Sequence, residues 1–258
     1  MEKTIGIFQA IYLSFYSKRL YRDVAQHWAG KSFLYLFILL SFICIYYAFA
    51  SQSVTSLAYE AIYTSIAPQV PVIAIKDGKI STPEKKPYFI TDPDSHENIA
   101  VIDTTGQYKT NAEAKAPVLL TETQLFMEKE KGEMRIYTVP ANMETTVDPK
   151  EINVTIHQFL PYLWIPFFVI FLFLTFIYRI LQALVYSIIG KIFANVYKVQ
   201  LTYGKIMQIM LVAITPVMII SVIQHAIGLF IPFEFLFYFI LAMAYLFFGI
   251  LANKQENL

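Results

Sequence analysis

The chain has 258 residues, a net charge of +1, and 57 % hydrophobic against 15 % charged residues. Soluble domains carry roughly 45–50 % and 25 %, so an ordinary soluble globule is excluded, and the balanced charge gives no reason to expect a nucleic-acid partner. The single cysteine, Cys44, rules out an intrachain disulfide, a zinc knuckle or a Cys-x-x-Cys centre and reads as a small apolar packing residue.

Residues 1–31 form a basic N-terminal segment. Ile7, Phe8, Ile11, Tyr12, Phe15 and Tyr16 recur at helical spacing, which predicts a short amphipathic helix lying on a bilayer or packed on a helical bundle. From Ser32 to Tyr59 there is no Asp, Glu, Lys or Arg. A hydrocarbon core about 30 Å thick needs about 20 helical residues, so a first span is expected at 32–52. Ala48-Phe49-Ala50 looks superficially like a signal cleavage site. The long segment before the apolar run and the later spans favour an uncleaved helix.

Residues 53–156 then read as a separate, mainly β domain. Ser53–Ala67 is expected to be helical, with Leu57, Ala61 and Tyr63 turned inward. Gln69–Ile75 is a β-branched run, and Asp77-Gly78 predicts a type I′ hairpin turn before a strand at 79–82. Further strands are expected at 87–91, 98–103, 117–121, 124–128 and 134–139, with loops at 82–86 and 92–97. Asp103-Thr-Thr-Gly106 is expected to turn the chain, and Glu130–Glu133 to close a hairpin.

Three more apolar blocks follow: Ile152–Tyr178, Ile206–Phe233 and Phe235–Asn253 contain no Asp, Glu, Lys or Arg. They predict spans near 157–180, 206–228 and 234–252, with 179–205 as a connection that continues the second helix along Ile180, Leu184, Ser187 and Ile188. Residues 1–31 hold Lys3, Lys18, Arg19, Arg22 and Lys31 against Glu2 and Asp23, and the connection holds Arg179, Lys191, Lys198 and Lys205 with no acid. Between Gln52 and Leu160 lie 10 basic and 15 acidic residues. Lys/Arg-rich short segments stay on the cytoplasmic side, so both termini, including the tail 253–258, are expected inside and 53–156 outside. The expected fold is an α-helical membrane protein with four transmembrane helices and a mixed, mainly β extracytoplasmic domain between helices 1 and 2.

Several pieces resemble the DUF1189 family of uncharacterised bacterial integral membrane proteins: Phe8-Gln-Ala-Ile-Tyr-Leu-Ser-Phe-Tyr-Ser17, Pro71-Val-Ile-Ala-Ile-Lys-Asp-Gly78, Ile99-Ala-Val-Ile-Asp-Thr-Thr-Gly106 and the closing spans with Thr215-Pro216. The membrane part is also distantly similar to Yip1-type membrane domains. Neither resemblance supplies a catalytic residue. Some DUF1189 relatives are named for maltodextrin utilisation, which implies a link to sugar metabolism.

Motifs for chemistry are sparse. Asp103-Thr-Thr-Gly106 looks like the Asp-Thr-Gly loop of aspartic proteases, but it has an extra threonine and no second copy to complete a carboxylate dyad. His96-Glu97 has no second histidine at the spacing of a zinc-protease helix. His27, His96, His157 and His225 are scattered, and no phosphate loop, dinucleotide loop or nucleophile elbow occurs, so no catalytic residue, cofactor or metal is expected. Gly78 and Gly106 read as turn devices, Asp103 as an acceptor holding its turn, and Pro216 as a helix kink. His225 and Glu234 are expected to meet across the Gly228–Pro232 turn, as a clamp or a ligand site. Asn153-Val-Thr155 is a glycosylation sequon relevant only to a eukaryotic host. The functional expectation is a non-catalytic membrane protein with an external domain that binds or senses an unidentified ligand. An accessory transporter subunit linked to sugar uptake is the alternative, and a membrane-surface enzyme comes third. Expected partners are the lipid bilayer and another membrane protein or a second copy of the chain.

Overall fold

The computed structural model describes residues 5–130 and 133–254. It divides into two units, one built from residues 5–50 and 164–254, the other from Ser51–Leu163.

The first unit is helical. Its N-terminal segment is two helices, α1 (Ile7–Leu13) and α2 (Lys18–His27), where the sequence pattern predicts one continuous stripe. Ser17 splits them because its hydroxyl accepts from the Leu20 N–H at 3.3 Å and so starts a new helix. Phe8, Tyr12 and Tyr16 are exposed, while Ile7 and Ile11 pack on the core. Helix α2 buries Leu20, Tyr21, Val24 and Ala25. Asp23 organises this corner: its Oδ2 accepts from the Ile5 N–H and from Trp28 Nε1, both at 3.0 Å.

Helix α3 (Lys31–Ile66) runs without a break through the expected first span and the helix predicted after it. Helix α6 (Trp164–Val196) likewise continues past Arg179, so Arg179 lies in its middle. The helical continuation expected over 179–205 reaches Val196, and residues 197–202 link α6 to α7 (Tyr203–Ala213). The buried stripe of α6 is Ala183, Tyr186, Ser187, Gly190 and Ala194, whereas Ile188 is exposed. Small residues face inward because α7 and α9 (Glu234–Leu251) come close: a Cβ on Gly190 would lie 2.6 Å from Ile206 Cγ2, and one on Gly249 would lie 2.6 Å from Ile209 Cγ2. Helix α7 sits at the centre, with Ile206 and Ile209 through Ala213 at 0 % exposure and Lys205 exposed in its first turn.

Helix α7 gives way to α8 (Thr215–Ala226) at Ile214. Pro216 lies in the first turn of α8, where its missing N–H is tolerated; inside a continuous helix it would leave the Val212 carbonyl unpaired. The Thr215 hydroxyl shares a 2.7 Å hydrogen bond with Tyr35 on α3. Four helical stretches, Lys31–Gln69, Trp164–Val196, Tyr203–Ala226 and Glu234–Leu251, are long and apolar enough to cross a membrane.

The second unit contains two sheets. One has the order β2-β1-β8, from β1 (Ile73–Lys76), β2 (Lys79–Ser81) and β8 (Thr145–Val147). The other has the order β3-β4-β5-β6-β7, from β3 (Tyr88–Thr91), β4 (Asn98–Asp103), β5 (Val118–Thr121), β6 (Gln124–Glu130) and β7 (Glu133–Thr138). All pairings are antiparallel except β4 with β5, whose crossover carries the short helix α4 (Asn111–Ala114). Ile73 and Ile80 of one sheet join Ile90 and Ile102 of the other in a single apolar cluster. The opposite face of β4 and β5 packs Val101 and Leu119 under Ala114 and Ala116. Strand β4 is thus buried on both faces, which is why Ile99–Ile102 reads as a continuous apolar run.

Several expectations shift. The strand expected from Gln69 begins only at Ile73, because Ala67–Gln69 forms a 3-10 turn with Pro68 at its start. Leu57 and Ala61 are exposed instead of inward; the sheets supply the core, and the C-terminal residue of α3, Ile66, packs against it. The block expected to start the second span is a separate helix, α5 (Pro149–Phe159), ended by a 3-10 turn at Leu160–Tyr162 containing Pro161. Lys131-Gly132, the tip of the predicted last hairpin, lies outside the described residues, as do Glu2, Lys3 and residues 255–258 of the expected tail.

Candidate functional site

The turn residues are positioned by different forces. Asp77 and Gly78 have φ of 51° and 72°, the paired left-handed conformation of a type I′ turn, and Lys76 pairs with Lys79 across it. Gly78 is also packed: a Cβ there would sit 2.8 Å from Ala141 Cα. Gly106 has a φ of 80° but open space around it.

Asp103 ends β4 at 0 % exposure. Its Oδ1 accepts from the Thr105 N–H at 2.8 Å and the Thr105 hydroxyl at 2.6 Å, and its Oδ2 accepts from the Tyr108 N–H at 2.7 Å. Burial works to raise its pKa, but the donors from Thr105, Tyr108 and Gln107 together hold the carboxyl below the ordinary aspartate range. A carboxylate with its lone pairs committed to its own loop is a structural acceptor.

A groove of about 760 Å³ opens beside this framework, lined by His96, Glu97, Asn98, Asn111, Lys115 and Glu128 together with the apolar Ala112, Ala116, Pro117 and Met134. The loop before β4 supplies His96. Asp92 Oδ1 accepts the Asp94 and Ser95 N–H groups, both at 2.8 Å, and the His96 N–H donates to the Asp92 carbonyl at 3.0 Å. The backbone donors from Ser95 and Asp94 hold the Asp92 carboxyl below its usual pKa. This tie drives His96 to a φ of 59°, and the end of α4 puts Lys115 at a φ of 50°. Two non-glycine residues in the left-handed region therefore meet on one groove, and such strain concentrates at functional sites.

Asn111 lies in the same wall at 5 % exposure. Its Nδ2 donates to the Pro117 carbonyl at 2.7 Å. That carbonyl accepts and cannot donate, so the amide orientation is determined, and Oδ1 is left buried without a donor. A buried acceptor lacking its partner costs about 1–3 kcal/mol. Asn111 and Lys115 escape a sequence reading because they sit in, and just after, a short helix within a polar stretch. The one local signal is Thr110, whose hydroxyl accepts from the Glu113 N–H at 3.3 Å as an N-cap.

In the helical unit, His225 Nε2 lies 3.7 Å from Glu234 Oε1 across the turn between α8 and α9. Imidazole Nδ1 lies 2.8 Å from the Ser221 carbonyl and so carries a proton. The contact with Glu234 becomes an ion pair when Nε2 carries one too. Pro216 lies at the α7–α8 break. Among the described residues no group of three or more His, Cys, Asp or Glu side chains is arranged to hold a metal ion.

The chain thus combines four helices of membrane-crossing length and composition with a mixed-sheet unit. The chain belongs to the DUF1189 family: the model described as "Protein of unknown function (DUF1189)" matches residues 8–250. No curated protein and no solved structure matches the chain.

Proposed function

We propose that the chain is a non-catalytic integral membrane protein whose sheet unit lies outside the cytoplasm and binds a polar ligand in the groove between His96 and Glu128. The groove carries this reading, through Asn111 Oδ1, an acceptor kept buried without a donor, beside two strained residues. Such costs persist where function needs them. The missing partner is a donor, so the ligand offers a hydroxyl or amide N–H, as a saccharide or a peptide does. The groove's cations, His96 when protonated and Lys115, face the acids Glu97 and Glu128, which suits a neutral or zwitterionic ligand. Insertion through the four apolar helices, with both termini cytoplasmic, rests on the Lys/Arg bias of the short segments. The sheet unit falls between the first and second of these helices and has the more acidic sequence.

The test uses full-length protein in detergent against maltooligosaccharides and short peptides. One class is expected to bind saturably, and Asn111→Leu to abolish that binding without lowering the melting temperature. His96→Gly, which relieves the strained φ, is expected to raise stability while weakening binding. Binding indifferent to both substitutions contradicts the reading. A second reading, an accessory subunit of a sugar transporter, draws on the polar groups inside the helical unit around Arg179.

A further inference from the structure

A second polar pocket, of about 290 Å³, lies within the helical unit and is lined by Tyr178, Arg179, Gln182, Ser221, Glu234 and Tyr238, among others. Arg179 is its most unusual member. A guanidinium offers five N–H donors, yet the hydrogen bond it makes here runs from Nη1 to Gln182 Oε1 at 2.6 Å, a neutral acceptor. Its Nε is buried with no partner. Gln182 is held in turn by donating from Nε2 to the Tyr186 hydroxyl at 3.1 Å, and the Tyr178 ring lies 5.3 Å from the guanidinium carbon. Among the described residues no carboxylate forms an ion pair with Arg179; Glu234 lines the same pocket but is turned to His225.

The depth of this pocket follows from the reversal between α8 and α9. Residues 227–233 are irregular, with Phe230 and Phe233 exposed at 83 % and 85 %. Irregular backbone exposed to lipid does not persist within hydrocarbon, so the reversal lies at or beyond headgroup level. Gln224 fixes the reversal by donating to the Leu229 carbonyl and accepting from the Tyr238 hydroxyl, both at 2.6 Å. Glu234 is the first residue of α9 and so lies at the headgroup boundary, and the long side chain of Arg179 reaches the same pocket from α6.

We propose that this pocket binds the headgroup of a phospholipid bearing a primary amine, with the phosphate on Arg179 and the ammonium on Glu234. The unfilled guanidinium donors and the Ser221 hydroxyl match phosphate oxygens. The carboxylate in the same small space disfavours a purely anionic headgroup and favours a zwitterion. The assignment rests on the reading that the four helices cross a bilayer, and the experiment separates the two.

Detergent-solubilised full-length protein is incubated with mixed vesicles of phosphatidylethanolamine, phosphatidylglycerol and phosphatidylcholine, and bound lipid is counted by native mass spectrometry. Phosphatidylethanolamine is expected to exceed phosphatidylglycerol about tenfold, the ratio one charge-assisted hydrogen bond supports. Arg179→Gln is expected to lose bound lipid of every class. Glu234→Gln, at a half-exposed position, is expected to keep binding and lose the preference for the amine. Equal occupancy by phosphatidylglycerol in the wild type, or a preference unchanged in Glu234→Gln, overturns the proposal. Soluble phosphoethanolamine that competes as well as the lipid overturns the lipid source. Failure of the wild-type protein to partition into vesicles at all defeats the membrane reading instead.

Discussion

Glycine does opposite work in the two units, and the contrast shows what each unit is made of. In the helical unit Gly249 has ordinary helical geometry and is small because Ile209 and the Tyr21 ring press against it, at 2.6 and 2.8 Å from where a Cβ would stand. In the sheet unit Gly106 has open space around it and a φ of 80°. The first glycine serves packing between helices distant in sequence, the second serves the path of the chain. Gly78 combines the two, with a φ of 72° and the Ala141 backbone 2.8 Å from the missing Cβ. The sheet unit is therefore vulnerable at its turns and the helical unit at its close approaches.

The largest expected effect is at Gly78. Gly78→Val adds backbone strain and a clash with main chain that cannot swing aside, and is expected to destabilise the sheet unit by about 3 kcal/mol or more. Hydrogen exchange of β1 and β2 in the full-length protein reads this directly; unchanged protection there would break the comparison. Gly249→Ala comes next, at about 2 kcal/mol, because the clashing atoms belong to side chains that can partly yield. Its effect is expected on α2, α7 and α9 alone.

Asp103→Asn is expected to cost about 1–2 kcal/mol. The carboxylate accepts on both oxygens, whereas an amide must aim its NH₂ either at the Tyr108 N–H or at the Thr105 donors. Because the folded-state pKa of Asp103 is lowered, its contribution is complete above the unfolded value, about 3.9, and is lost as pH falls through the folded value. Acid titration of turn amides 105–108 follows this, and the dependence should vanish in Asp103→Asn. Gly106→Ala is the smallest, about 1 kcal/mol, since only backbone conformation opposes it. Parity between Gly106→Ala and Gly78→Val would mean that the contact with Ala141 contributes nothing.

The same contrast explains what could be read in advance. Apolar runs reveal the long helices because lipid-length hydrophobicity is a property of one segment, and Asp77-Gly78 reveals its hairpin because a type I′ turn needs two left-handed residues in sequence. Strand β8 was not legible: Thr145–Val147 is short and polar, and becomes a strand only by pairing with Ile73–Ile75. The parallel pairing of β4 with β5, and the small-residue stripe of α6, likewise depend on distant partners. Gly78, Asp103, Gly106, Pro216, His225 and Glu234 can all be picked from the sequence, but the groove cannot. His96 becomes unusual only through the hydrogen bonds of Asp92, and Asn111 only through the single donor bond to Pro117 that leaves its oxygen bare.

The orientation of the sheet unit carries the proposed function. Cys44 is the single cysteine and is buried, so with Cys44→Ser as background a new thiol can be placed at Ser95, in the exposed loop before β4, or at Asn253, beyond α9. Intact cells are treated with a membrane-impermeant maleimide, then opened and treated again. We predict that Ser95→Cys is labelled in intact cells and Asn253→Cys only after opening. Labelling in the reverse order would place the groove in the cytoplasm and contradict an external binding unit.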